Sequence, residues 1–226
     1  MGSLIAFTSE RDETYRGYLA KSAKGRGPGV IVLQEWWGLV GHITDVADRF
    51  AREGFTALAP DLYKGETAEE PETAGKLMMA LNIGETERIL RAAIATLLAD
   101  ESTSGEKVGV VGFCMGGQLS LFAACLNEEI GACVDYYGIH PNVKPAFENL
   151  RAPVLGFFAQ HDDYASPEAV AALGGELDLY GKKHEFITYG GTRHAFFNSD
   201  RPEVYDERAA EDSWNRMIEF FHRHLG

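Results

Sequence analysis

The sequence predicts an α/β fold with a mostly parallel central sheet and helices on both faces. Three observations carry that expectation. From residue 28 onward, short apolar runs rich in β-branched residues alternate with longer amphipathic stretches, as parallel strands joined by crossover helices require. Most of those runs are continuously apolar, the mark of strands buried on both faces. The chain has 226 residues, 45% of them hydrophobic and 24% charged, enough to bury a sizeable core in a single domain over 1–226 and too apolar for disorder.

Taken in order, Thr14–Leu19 reads as an antiparallel edge strand leading in. Val30–Gln34, Phe55–Ala59, Lys107–Val111, Ala132–Tyr136, Pro153–Ala159 and His184–Tyr189 read as the parallel strands, most of them ending in a polar or glycine-rich turn. Between them, Ile43–Glu53, Glu85–Leu98, Met115–Leu126 and Pro167–Leu177 space apolar residues as helices do. Glu203–Leu225 closes the chain, with Trp214, Met217, Ile218, Phe221 and Leu225 on one face. Pro60–Gly75 is the least regular segment, an expected loop at the border of a cleft, broken by Pro60, Gly65, Pro71 and Gly75.

With 34 acidic against 21 basic residues the formal charge is −13. Such a surface repels phosphate backbones and anionic lipid, so neither nucleic acid nor a membrane surface is an expected partner. No apolar run approaches the roughly 20 residues that span a bilayer, and the N-terminus lacks a basic segment followed by an apolar one. Cys114, Cys125 and Cys133 show no CxxC or His-paired spacing, which argues against disulfides and zinc and for a reducing, cytoplasmic setting.

The most informative residues are Gly112-Phe113-Cys114-Met115-Gly116, between an expected strand and an expected helix. This is a nucleophile elbow with cysteine where serine is usual. The sharp turn needs small residues two positions before and after the nucleophile, which Gly112 and Gly116 supply, and it lifts the side chain above the sheet. A helix N-terminus also favours thiolate. Cys125 and Cys133 read as structural thiols.

An elbow calls for an acid and then a base later in the chain. Asp162 follows the strand Pro153–Ala159 and His194 follows His184–Tyr189, so both lie past the carboxyl ends of strands, where open parallel sheets bind ligands. His194 is the expected base for Cys114 and Asp162 the group that fixes its tautomer. Asp163 is the alternative acid, and His161 a weaker rival base. Glu35 ends the strand Val30–Gln34 beside Trp36 and Trp37, where its charge bears on the thiol. The backbone N–H groups of Trp36 and Met115 are the expected oxyanion hole.

Gln34-Glu35-Trp36-Trp37-Gly38, the Asp45 to Tyr63 run, Gly112 to Gly117, Asp162 and Gly191 to Phe196 together resemble the dienelactone hydrolase family, over nearly the whole chain from about residue 10. The resemblance implies a single-domain α/β-hydrolase fold, often monomeric, that needs no metal or cofactor. It implies a cysteine acylated by ring opening of an enol lactone, and a glutamate that activates this cysteine when substrate displaces it. By position these roles fall on Cys114, Asp162, His194 and Glu35. The family's two substrate-binding arginines have no match: Asn198 stands four residues after His194, and no Arg occurs from Gly54 to Glu87. Lys64, Lys76 or Arg193 are the available substitutes, although lysine lacks the bidentate fork of arginine. Trp36, Tyr136, Tyr137, Tyr164 and Phe196 suggest a largely apolar pocket that reaches Asn198. A broader carboxylesterase or thioesterase uses the same residues, and a silent binding protein of this fold is the reading from another class.

Overall fold

Val30, Ile31, Val32 and Leu33 are all fully buried, so their strand has no face to give to water and needs a neighbour on each side and a layer on each face. The computed structural model, described over residues 1–138 and 140–226, satisfies both needs. Eight strands form one sheet in the order β1-β2-β4-β3-β5-β6-β7-β8. They are β1 (Ser3–Thr8), β2 (Thr14–Ala20), β3 (Gly27–Leu33), β4 (Thr56–Pro60), β5 (Thr103–Phe113), β6 (Ile130–Tyr136), β7 (Val154–His161) and β8 (His184–Arg193). β1 pairs antiparallel with β2 and β2 with β4, while every pairing from β4 across to β8 is parallel.

The crossovers are α1 (Gly41–Glu53), α2 (Pro71–Ala80), α3 (Ile83–Ala99), α4 (Met115–Leu126) and α5 (Pro167–Leu179), with α6 (Glu207–Leu225) at the end. Their ends obey local chemistry. Gly54 stops α1 in the left-handed region (φ 100°), returning its N–H to Ala51 and Phe50 carbonyls. The side chains of Asn82, Ser166 and Asp206 accept the orphan N–H groups of Glu85, Ala169 and Ala209 and so start α3, α5 and α6.

Helices α1 and α6 cover one face of the sheet, where Phe50 packs on Phe55, Trp214 and Phe221. Helices α3 and α4 cover the other, through Ile89, Leu90, Leu97, Leu119 and Leu121. Truncating a fully buried ring such as Phe221 to alanine costs ~3–5 kcal/mol.

Three expectations need correction. Thr14–Leu19 does form an antiparallel strand, but β1 lies outside it and is the edge; its short, mostly exposed SLIAFT sequence gives little apolar signal. Part of the expected loop Pro60–Gly75 is helical, because Pro71 opens α2 at a first-turn position that needs no N–H donor. The last helix begins at Glu207 rather than Glu203, where Asp206 caps it.

Candidate active site

The order of the sheet places the carboxyl ends of β3, β5, β6, β7 and β8 side by side, and each hands the chain to a loop at the same edge. At the end of β5, Cys114 takes φ 55° and ψ −119°, a conformation that non-glycine residues rarely adopt. The turn holds because two glycines allow it. A Cβ on Gly112 would strike the carbonyl of Gly116, and a Cβ on Gly116 would strike the backbone of Leu33 and Gln34 at the carboxyl end of β3. Cys114 donates its backbone N–H to the Tyr136 carbonyl at 3.0 Å and caps α4. Its sulfur is therefore fixed at the helix N-terminus, where Met115 N–H has no partner within the helix.

The structure brings together the residues expected around Cys114. His194 Nδ1 lies 2.8 Å from Asp162 Oδ2, and the Cys114 sulfur is close enough to the same imidazole to act on its charge. Asp162 is itself held: its Oδ1 accepts the N–H groups of Tyr164 at 2.8 Å and Ala165 at 2.9 Å. Burial alone would lower the proton affinity of His194, but when Cys114 is a thiolate its charge, with the bond to Asp162, outweighs burial and raises the pKa to about 10. Asp163 is exposed and His161 points into a separate surface depression with Arg193, so neither joins this arrangement.

Glu35 is 2% exposed. Its Oε2 accepts the Asn198 amide at 2.7 Å, while Oε1 has no partner among the described residues. Tyr137 lies close by, in the left-handed region at φ 41°, with its ring 5.0 Å from His194. Burial first, and then the charges of Glu35 and Cys114, push the Tyr137 hydroxyl far above its ordinary pKa.

A cavity of about 530 Å³ opens over these groups. It is lined by Trp36, Trp37, Tyr164, Pro71 and Met78 as well as by Cys114 and His194, so α2 forms part of its wall. Trp36 and Tyr164 both line it, and Tyr164 packs on both Trp36 and His194. Tyr136 and Phe196 do not line it. Both are 0% exposed and belong to the aromatic core under the site, where Tyr136 stacks on Phe113 and meets Phe157, Phe196 and Phe197 at a tilt. Asn198 is not a pocket residue either, since its amide is turned inward to Glu35.

The candidate substitutes for the family's arginines lie away from the cavity. Lys64 pairs with Glu85 and Lys76 with Glu72, and neither they nor Arg193 line the cavity. Among the described lining residues the one arginine or lysine is Arg201, whose guanidinium lies 5.4 Å from the Trp37 ring and 2.7 Å from Glu203. The sequence signal for it was its place seven residues after the base, in the same loop as Asn198.

The chemistry available here is nucleophilic attack by a sulfur whose proton a neighbouring imidazole can take, beneath an apolar cavity with one cation. Known proteins share the arrangement's frame. The family model described as the dienelactone hydrolase family matches residues 15–225. A protein of Aquifex pyrophilus called usf is 38% identical over the full length of both chains. One of Aquifex aeolicus, provisionally named carboxymethylenebutenolidase, is 34% identical over the full length of both. A crystal structure from Klebsiella pneumoniae, provisionally described as a dienelactone hydrolase, superposes with a TM-score of 0.83 at 28% identity, covering 98% of this chain and 100% of that one. The chain belongs to the dienelactone hydrolase family of α/β-hydrolases, and it is a hydrolase acting on esters or lactones.

Proposed function

We propose that this hydrolase opens an enol lactone, of the kind that converts dienelactone to maleylacetate, through a thioester at Cys114. The observation that carries the reading is His194, set between Asp162 at 2.8 Å and the sulfur of Cys114 at a strained elbow. Asp162 holds the proton on Nδ1, which leaves Nε2 to serve the sulfur. The thiolate adds to the lactone carbonyl and the new oxyanion receives the N–H groups of Trp36 and Met115. Collapse forms the thioester and expels the ring oxygen as an enolate, which takes the proton held by His194. Water, deprotonated by the same imidazole, then cleaves the thioester and returns the thiol. Glu35 takes part before attack: as a carboxylate beside a neutral thiol it opposes thiolate formation or accepts the thiol proton. All three cysteines are free, which supports action in the cytoplasm, and the resemblance to the family supports a monomer.

The test is acyl-enzyme trapping. Rapid mixing with dienelactone should give a product burst equal to the enzyme, and mass spectrometry should find the acyl group on Cys114; Cys114→Ala should show neither. No adduct across a panel of lactones and activated esters would overturn the mechanism.

The mostly apolar cavity, with Trp36, Trp37, Pro71, Met78 and Val204 in its wall, favours a second reading as a carboxylesterase of broader specificity. Turnover of neutral aryl esters equal to or above that of dienelactone would decide for it.

A further inference from the structure

Helix α2 carries Pro71 and Met78 to the wall of the cavity, yet little holds it there. Of its ten residues Ala74 alone is buried; Leu77 and Met78 are half-buried against the core, and the ion pair of Lys76 with Glu72 stays within the helix. Among the described residues one hydrogen bond joins α2 to a distant segment: His140 Nε2 lies 3.2 Å from the Met78 carbonyl oxygen, across 62 residues of sequence. Pro141, the next residue, also lines the cavity. The bond therefore closes the rim between two parts of the wall, α2 on one side and the loop after β6 on the other.

The partners fix the state of this imidazole. A carbonyl oxygen only accepts, so Nε2 bears the proton. Nδ1 accepts the Asn142 backbone N–H at 3.1 Å and so bears none. His140 is 3% exposed, and burial pushes its pKa down against the bonds to the Met78 carbonyl and to its own backbone. The ring is neutral, with its one donor and its one acceptor both engaged. The Met78 carbonyl belongs to the last turn of α2, where backbone oxygens lack helical partners, so a side chain that reaches it anchors the helix end.

We propose that His140 is a positioning residue for substrate choice: by holding the last turn of α2 against the loop after β6 it keeps the wall closed and limits the length of ester that the cavity takes. The proposal rests on the reading of this cavity as the substrate site of Cys114. Without the bond α2 leaves its seat more often, the cavity opens between Met78 and Pro141, and longer esters reach the sulfur.

Two variants separate the bond from the fold. His140→Asn can still accept the Asn142 N–H but is too short to reach Met78, whereas His140→Gln keeps an N–H near the place of Nε2. The measurements are hydrogen exchange of the amides in 71–81 and kcat/KM for two pairs of esters. p-Nitrophenyl acetate against p-nitrophenyl decanoate lengthens the acyl part, and ethyl acetate against decyl acetate lengthens the alcohol part. Loss of one hydrogen bond shifts a local opening equilibrium by about 3- to 10-fold. His140→Asn should speed exchange in α2 by that factor and, in at least one pair, raise kcat/KM of the longer ester relative to the shorter by a similar one. His140→Gln should match the wild type in both. Equal behaviour of the two variants, unchanged exchange in His140→Asn, or a length preference that stays constant while exchange rises would overturn the proposal. Ester turnover that survives Cys114→Ala overturns the reading of the site itself; Cys114-dependent turnover with an unchanged length preference overturns the role of His140 alone. The wild type supplies a readout independent of how either variant folds. Its imidazole ¹⁵N spectrum at about pH 7 should show His140 as the Nε2–H tautomer, and an Nδ1–H tautomer or an imidazolium overturns the proposal.

Discussion

Asn198 donates its side-chain amide to Glu35 at 2.7 Å, across 163 residues of sequence, in an environment where both are almost fully buried. The bond ties the loop after His194 to the loop after β3. It also changes what substitution at 198 should do. Asn198→Ala leaves both oxygens of Glu35 without a partner, a loss of ~1–3 kcal/mol for an unsatisfied buried group. Urea unfolding should show that loss, and a midpoint like that of the wild type would show the bond to be dispensable. Asn198→Arg should bring no gain in kcat/KM for a carboxylate-bearing lactone, because its guanidinium would meet Glu35 rather than substrate.

Arg201 is where a substrate carboxylate would find a cation in this strongly acidic protein. A charge-assisted hydrogen bond is worth ~1.5–3 kcal/mol, or about 10- to 100-fold in affinity. Arg201→Met should therefore lower kcat/KM for a lactone acid by about that factor and leave its methyl ester nearly unchanged. Equal losses on acid and ester would mean that Arg201 shapes the cavity through Trp37 and Glu203 without reading charge.

Much of this was legible before the structure. Buried parallel strands announce themselves as unbroken apolar runs, and an elbow needs its glycines at fixed spacing, so β3, β5 and Cys114 could be placed from residues alone. Strand ends then predicted the positions of Glu35, Asp162 and His194. The direction of aromatic side chains was not legible. Tyr136 and Tyr137 are adjacent and both fully buried, yet only Tyr137 faces Glu35 and Cys114, and nothing in their types separates them. Arg201 was hidden for a different reason: a loop position has no periodicity, so which of its residues reaches the cavity depends on the path of the chain.

Asp162 and Asp163 are neighbours in sequence with opposite surroundings. Asp162 is buried and receives three hydrogen bonds, from His194, Tyr164 and Ala165, whereas Asp163 is exposed. Asp162→Asn would keep the shape and misplace the imidazole proton, so kcat should fall by about 10³–10⁴ with the fold retained. Asp163→Asn should stay within a few-fold of the wild type. Comparable losses in the two variants, measured on one ester, would undo the assignment of the acid.

Asp135, near the end of β6, is 0% exposed and neither of its carboxylate oxygens has a side-chain partner among the described residues. It fits because Gly117 and Gly138 have no side chains; a Cβ on either would strike its Oδ1. Burial pushes its pKa up to about 7, against the backbone N–H of Gly138. An unfolded aspartate titrates near ~3.9, so between about pH 4 and about pH 7 the folded chain keeps a proton that the unfolded chain has lost. Stability then falls as pH rises, by ~1.4 kcal/mol per unit, and this contribution levels off above about pH 7 where both states are ionised. Asp135→Asn mimics the neutral acid and cannot ionise. Its unfolding free energy relative to the wild type should therefore improve steadily from pH 4 to pH 7 and then stay constant. A difference that does not vary with pH would mean that Asp135 carries the same charge folded and unfolded, and that the missing hydrogen bonds are made by another route.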